Sequence, residues 1–271
     1  TQPADLRVRV AAGHPGPRLP GVARVFTCRD GGPPWGLWSG EDGFTMRQED
    51  RVQFFISRQG DWVACRYQPT LLDEVRWYLL HLVFPFVLRL RGSLSLHACA
   101  VALPGGASVF LGESGDGKST LAAAFAREGF PVLADEVVVL PHGPRPLCLP
   151  GLPYLRLSPA SLTALFDGSV WASPGHDGKL LLQLEDLSSG ASTVPQPLCS
   201  IYILARRQAQ AFGRRVHITP MGPKESLKAL LSRDYTAALI SPPQMQETLA
   251  RYAELCQGLP VYRLEYASGF E

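Results

Sequence analysis

The chain has no Cys-x-x-Cys pair, no apolar run long enough to span a membrane, no internal repeat and no marked excess of either charge. Its six cysteines, Cys28, Cys65, Cys99, Cys148, Cys199 and Cys256, stand far apart. That spacing argues against a zinc ribbon or a dense disulfide framework and fits reduced thiols in a cytoplasmic protein. The opening TQPADLRVRVAAGHPGPRLP carries no apolar segment of the signal-peptide kind. The most apolar stretch, Leu79 to Leu90, is broken by His81, Pro85 and Arg89 and falls well short of the ~20 residues a span needs, so no membrane partner is expected. With 26 Lys plus Arg against 24 Asp plus Glu, the net charge of +2 gives no broad basic surface for nucleic acid. Local positive charge for a phosphate ligand is not excluded.

What is present is an ordinary globular balance, 271 residues with 46% hydrophobic and 18% charged. Residues 1–20 are rich in Pro, Gly and Ala and read as a flexible arm. From residue 21 short β-type runs (ARVFTC, RVQFFISR, DWVACRYQ) alternate with turn-rich segments. A helix then follows on Leu72, Val75, Leu79, Leu82, Val83 and Phe86, with a bend expected at Pro85. These elements make residues 21–90 a small β-rich N-terminal unit plus a connecting helix, and 91–271 a second, α/β domain. The aromatic set Trp35, Trp38, Phe54, Phe55 and Trp62 reads as core packing of the first unit, with a peptide groove as the alternative.

The second domain opens with LSLHACAVAL and GGASVFLG, two strands joined at Leu103-Pro104-Gly105-Gly106. The second strand runs into Gly112-Glu113-Ser114-Gly115-Asp116-Gly117-Lys118-Ser119, which fits GxxxxGK[ST], and then into an Ala-rich helix stopped by Gly129. Strand, glycine loop and helix in that order are what phosphate binding requires. Glycines let backbone amides turn toward phosphate oxygens, and the helix N-terminus adds its positive dipole end. Lys118 reaches the β and γ phosphates, Ser119 ligates magnesium and Thr120 assists at the helix start. A nucleotide phosphate and Mg2+ are therefore the expected ligands.

Next comes PVLADEVVVL. A right-handed β-α-β crossover returns its carboxylates to the edge that carries the glycine loop, so of Asp135 and Glu136 one is a candidate proton acceptor and the other a magnesium ligand beside Ser119, with solvated turn residues as the blander reading. Adjacent strand residues point to opposite faces, so both acids serve one site only where the strand bulges or ends. His97, which shares a strand face with Ser95, Cys99 and Val101, is a structural histidine or a hydrogen-bond partner of the base carboxylate or of a phosphate oxygen. Transfer of a phosphoryl group also needs further positive charge. The candidates are Lys179 in HDGK, Arg156 and Arg206, each a solvated surface cation on the blander reading.

The run LHACAVALPGGASVFLGESGDGKSTLAAAFAREGFPVLADEVVVL resembles the core of the HPr kinase/phosphorylase family, in which a His-containing strand, a GxSGxGKS loop and an acidic pair follow in this order. Weaker similarity to shorter HPr-kinase-like proteins extends through KLLLQLED, IYILARR, MGPKESLKALL and VYRLEY. The resemblance implies a P-loop kinase core related to phosphoenolpyruvate carboxykinase and an ATP-dependent kinase acting on a serine hydroxyl of a peptide or small protein. It gives Asp135 the role of general base, Lys118 and Ser119 those of phosphate and magnesium contacts, and His97 a place near the active site. Short relatives of this type accompany lasso peptide pathways, where a precursor's C-terminal serine is the implied acceptor. The Glu-containing signature of phosphorolysis has no counterpart here. Hexamers among the HPr kinases make a homo-oligomer an expectation too. The alternatives are a nucleotide-gated peptide-binding module without transfer and a kinase for a small metabolite such as free serine or a sugar.

Overall fold

In the computed structural model the described residues are 6–15, 24–27, 33–175, 178–207 and 216–267. Cys28 and residues 1–5 and 16–20 of the expected arm lie outside them. The chain divides into two compact units, one of residues up to Ser93 together with Thr236–Ser241 and one of Leu94–Tyr235 with the chain after Pro242.

The first unit is a six-stranded sheet in the order β1-β6-β5-β4-β3-β2, formed by β1 (Arg7–Ala12), β2 (Arg24–Phe26), β3 (Trp35–Ser39), β4 (Gly43–Gln48), β5 (Val52–Ser57) and β6 (Trp62–Tyr67). Strands β2 to β6 are antiparallel neighbours, as the turn-rich segments predict. Strand β1 corrects the expectation of a loose arm. Its Arg-Val-Arg-Val alternation is a strand pattern, and it pairs in parallel with β6, Val8 opposite Val63 and Val10 opposite Cys65.

The period of two also divides the aromatic set. Trp35 and Phe54 are fully buried with rings 6.0 Å apart. Trp38, Phe55 and the exposed Trp62 lie on alternate positions, Phe55 and Trp62 with rings 4.9 Å apart. The core reading holds for Trp35 and Phe54 and not for the other three.

Helices α1 (Leu72–Tyr78) and α2 (Phe84–Leu90) supply Val75, Phe86 and Val87 to the same core. Between them, Leu79–Val83 forms a wider turn in which the Phe84 N–H reaches Leu79 O. Pro85 has no N–H to continue the regular ladder, so the irregularity falls in the turn before the proline.

The second unit is built on an eight-stranded sheet with two short helical layers. Strand β7 (Leu94–Leu103) and β8 (Gly106–Leu111) form the expected hairpin, Leu103 opposite Gly106. Helix α3 (Lys118–Arg127) follows the glycine loop, then come β9 (Val132–Ala134), β10 (Val137–Leu140), β11 (Leu147–Cys148) and β12 (Tyr154–Leu157). Helix α4 (Pro159–Phe166) starts at Ser158, whose hydroxyl accepts from Ser161 N–H. After β13 (Ser173–Pro174), β14 (Leu180–Gln183), β15 (Gln196–Arg207) and β16 (His217–Pro220), helices α5 (Pro223–Ser232) and α6 (Pro242–Gly258) each open on a proline, and β17 (Val261–Ala267) closes the sheet.

The main path of the sheet is β10-β7-β8-β15-β17-β16, with β9 beside β7 and β11 beside β15. Strands β8, β15 and β17 are parallel neighbours. Strands β12, β14 and β13 make a separate small sheet. The alternation of β7 and β8 sorts residues between two cores. Leu94, Leu96, Ala98, Val109 and Leu111 pack with Leu230 and Tyr252 of α5 and α6. Cys99, Val101 and Phe110 pack with Ala122, Ala123 and Ala126 of α3 and with Leu155 and Leu157 of β12. Burying so many aliphatic side chains at ~25 cal/mol per Å2 is the dominant force holding the sheet between these layers.

Candidate active site

Several segments of the second unit meet where β8 ends, and the glycine loop among them is shaped locally. The glycine loop leaves β8 at Gly112 because no side chain fits there: a Cβ would lie 2.9 Å from Asp116 Oδ2 and 3.1 Å from Leu204 Cβ. Gly115 and Gly117 take φ of +91° and +84°, values that disfavour any other residue. The turn is braced from inside and outside. Asp116 Oδ2 accepts the Glu113 N–H at 2.5 Å, Arg206 Nη1 donates to Gly115 O at 3.4 Å, and the Tyr266 hydroxyl donates to Asp116 O.

Lys118 is buried, and its amine donates to Gly112 O at 3.1 Å and Glu113 O at 3.0 Å. Burial pulls its pKa below the usual lysine value. The Thr120 hydroxyl lies 2.9 Å from Ser161 Oγ, joining α3 to α4.

The acidic pair sits in a gap in one strand. Ala134 of β9 pairs with Ala100 and Val137 of β10 with His97, so the two short strands continue one another along β7. Between them the Val137 N–H bonds Asp135 O at 2.8 Å, and Glu136 takes φ of +68°. This three-residue turn breaks the alternation that would have sent the two side chains to opposite faces. Strand β9 runs in the same direction as β8, but with β7 between them, since both pair antiparallel with β7. The crossover therefore skips one strand and still brings Asp135 to the edge that carries the loop.

Asp135 and Glu136 are both buried, at 6% and 7% exposure. Ser119 Oγ donates to Asp135 Oδ1 at 3.0 Å and the Arg156 N–H donates to Oδ2 at 3.0 Å. Burial, and then the neighbouring Glu136 charge, push the Asp135 carboxyl up to about 6. Glu136 has different company: Arg156 Nη1 is 3.1 Å and Lys179 Nζ 3.5 Å from Oε1, and His97 Nδ1 is 3.7 Å from Oε2. Ser119 and Glu136, the expected magnesium pair, have different partners. The acid beside Ser119 is Asp135, while basic side chains surround Glu136.

All three candidate cations reach this region. Arg156 is buried at 3% exposure and grips both acids, one through its backbone and one through its guanidinium. Lys179 is about one-third exposed, and Arg206 touches the loop.

Two residues at the site carry no sequence signal. Arg233 and Tyr235 lie just past α5 in Ser-Arg-Asp-Tyr, where local pattern suggests only a loop. The structure pairs this segment with β7: His97 N–H donates to Arg233 O at 2.8 Å and Tyr235 N–H to Ser95 O at 2.7 Å. Asp234 pairs with Leu96 and faces the α6 side, where the Tyr252 hydroxyl donates to it at 2.7 Å. Arg233 and Tyr235 therefore share the face of His97. The Tyr235 ring meets the His97 ring edge-on at 5.7 Å, and the Arg233 guanidinium is paired with the Glu113 carboxylate.

Among the described residues no cluster of three His, Cys, Asp or Glu side chains could hold a metal, and no helix is long and apolar enough to cross a membrane. No family model and no curated protein matches the chain. Among solved structures, the chain is similar to the Hpr(Ser) kinase/phosphatase from Coxiella burnetii, at 11% identity and a TM-score of 0.35, over 64% of this chain and 85% of that one. A likeness at that TM-score carries no argument about activity.

Proposed function

We propose that the second unit is an ATP-dependent kinase that transfers the γ-phosphate to a serine hydroxyl of a peptide or small protein. The observation that carries this reading is the contact of Ser119 with Asp135 at the mouth of the glycine loop, with the Asp135 pKa near 6. A base with that pKa is ionised at neutral pH yet still takes a proton readily. In the proposed transfer the serine oxygen bonds to the γ-phosphorus, the bond from that phosphorus to the β,γ-bridging oxygen breaks with its electron pair leaving on ADP, and the hydroxyl proton passes to Asp135.

The donor set suits a nucleotide with magnesium. Magnesium keeps several waters and needs only one or two protein oxygens, so a site without three acidic ligands is no obstacle. Ser119 is the protein oxygen for it, and the ion would neutralise phosphate charge as it develops. Lys118 and the loop amides hold phosphate. Glu136 serves as the anchor that gathers Arg156 and Lys179 near the reacting groups, with His97 set against it. A C-terminal serine of a lasso-type precursor is one acceptor this reading allows. The proposed phosphate-loop fold and cytoplasmic setting belong to the same reading.

The test is incubation of the protein with γ-labelled ATP, magnesium and a degenerate serine peptide library, with free serine and sugars in parallel. Label on peptide serine supports the reading. Label on a free metabolite alone would replace the acceptor class, and nucleotide binding with no transfer to any acceptor would favour the nucleotide-gated binding module.

A further inference from the structure

Arg233 holds an unequal partnership. Its side chain is 16% exposed, whereas Glu113, the acid it pairs with, is 69% exposed. The arginine is the fixed member. Its backbone is bonded into the edge of β7 through His97, the next residue, Asp234, is pinned by Tyr252, and Nη1 is 3.2 Å from Ser232 Oγ. Its buried Nε has no hydrogen-bond partner among the described residues. A partly buried guanidinium is better held with an anion, and the one it has is a solvent-exposed carboxylate on the first variable position of the glycine loop. The carbonyl of that same Glu113 accepts from the Lys118 amine at 3.0 Å, so Arg233 and Lys118 converge on one residue from two directions. A phosphate offers the guanidinium a better-matched fork of oxygens than a single carboxylate oxygen does.

We propose that Arg233 is a phosphate-binding residue, whose guanidinium exchanges the Glu113 carboxylate for the terminal phosphate of a nucleoside triphosphate held by the glycine loop. This rests on the kinase reading in one respect only, that nucleotide binds at this loop; it needs no phosphate acceptor. Glu113 is then a placeholder that competes with the triphosphate and keeps the cation paired in its absence.

The experiment is titration calorimetry of ATP and of ADP, each with magnesium, against the full chain and three variants. Arg233→Met lowers ATP affinity by roughly 10- to 100-fold, the worth of one charged hydrogen-bonded contact, while ADP affinity changes by less than roughly 3-fold. Glu113→Gln removes the competitor and tightens ATP binding. Arg233→Lys keeps the charge without the fork, so it folds as the parent does and loses an intermediate part of the preference for ATP over ADP. Equal losses for ATP and ADP in the arginine variants would overturn the proposal. So would unchanged or weakened ATP binding by Glu113→Gln, which would make Arg233 a latch on the loop. If the unsubstituted chain binds both nucleotides and Arg233 does not discriminate, this inference fails alone; if it binds neither, the kinase reading fails with it.

Discussion

Asp135 and Glu136 are neighbours in the chain, yet both carboxylates are buried on one site, because Glu136 takes a left-handed φ of +68° in the gap between β9 and β10. The two acids are then told apart by their partners. Asp135 accepts from Ser119 and from a backbone N–H, while Glu136 is set against Arg156, Lys179 and His97. One carboxylate is held by a hydroxyl and a backbone N–H, the other by basic side chains.

The two cations on Glu136 Oε1 should differ in their energetic weight. Arg156→Met strips a buried acid of its buried partner and costs about 3 kcal/mol of unfolding free energy. Lys179→Met removes a cation that water already screens and costs less than about 1 kcal/mol. Urea denaturation of the two variants measures both, and equal losses would contradict the assignment of Arg156 as the structural partner.

Asp135 also makes stability depend on pH. Its folded pKa of about 6 lies above the ordinary value of 3.8, so the folded state holds this proton more tightly than the unfolded chain does. That contribution is fully present below about pH 4 and is lost as pH rises through 6. Asp135→Asn removes the titration, so the stability difference between pH 5 and pH 8 is smaller in the variant. Activity moves the opposite way: in the parent, kcat/KM rises through pH 6 as the base ionises.

A third prediction concerns a residue outside the site. Gly151 N–H bonds Leu133 O at 2.7 Å, and a Cβ on Gly151 would lie 2.8 Å from Ala134 Cβ. Gly151→Ala must displace Ala134, the residue that leads into Asp135. Overpacking of this kind costs about 1–3 kcal/mol. Phosphoryl transfer should fall more than nucleotide affinity, since the loop is untouched; steady-state kinetics beside a binding titration separates the two.

Much of the second unit is legible in the chain because its signals are local. The Leu103-Pro104-Gly105-Gly106 turn, the glycine loop and the prolines at 159, 223 and 242 mark element ends by fixing φ or freeing it. What stayed hidden depends on pairing at long range. Strand β1 has strand alternation but sits among Pro, Gly and Ala, and its partner β6 comes some fifty residues later, as the register Val8 with Val63 shows. Arg233 and Tyr235 belong to the site only because the segment after α5 returns to β7. The acids were visible as a pair, but which of them meets Ser119 is decided by a single positive φ. Composition groups Trp38, Phe55 and Trp62 with Trp35 and Phe54, and the period of the sheet separates them.

The measurement that tests the central claim most directly is transfer of γ-labelled phosphate from ATP with magnesium to serine peptides, run on the parent and on Asp135→Asn with ATP affinity determined for both. The account predicts phosphoserine formed by the parent, transfer lowered at least ~100-fold in the variant, and ATP affinity within a few-fold of the parent's. Transfer at the parent's rate by Asp135→Asn, or a parent chain that binds no ATP, would contradict it.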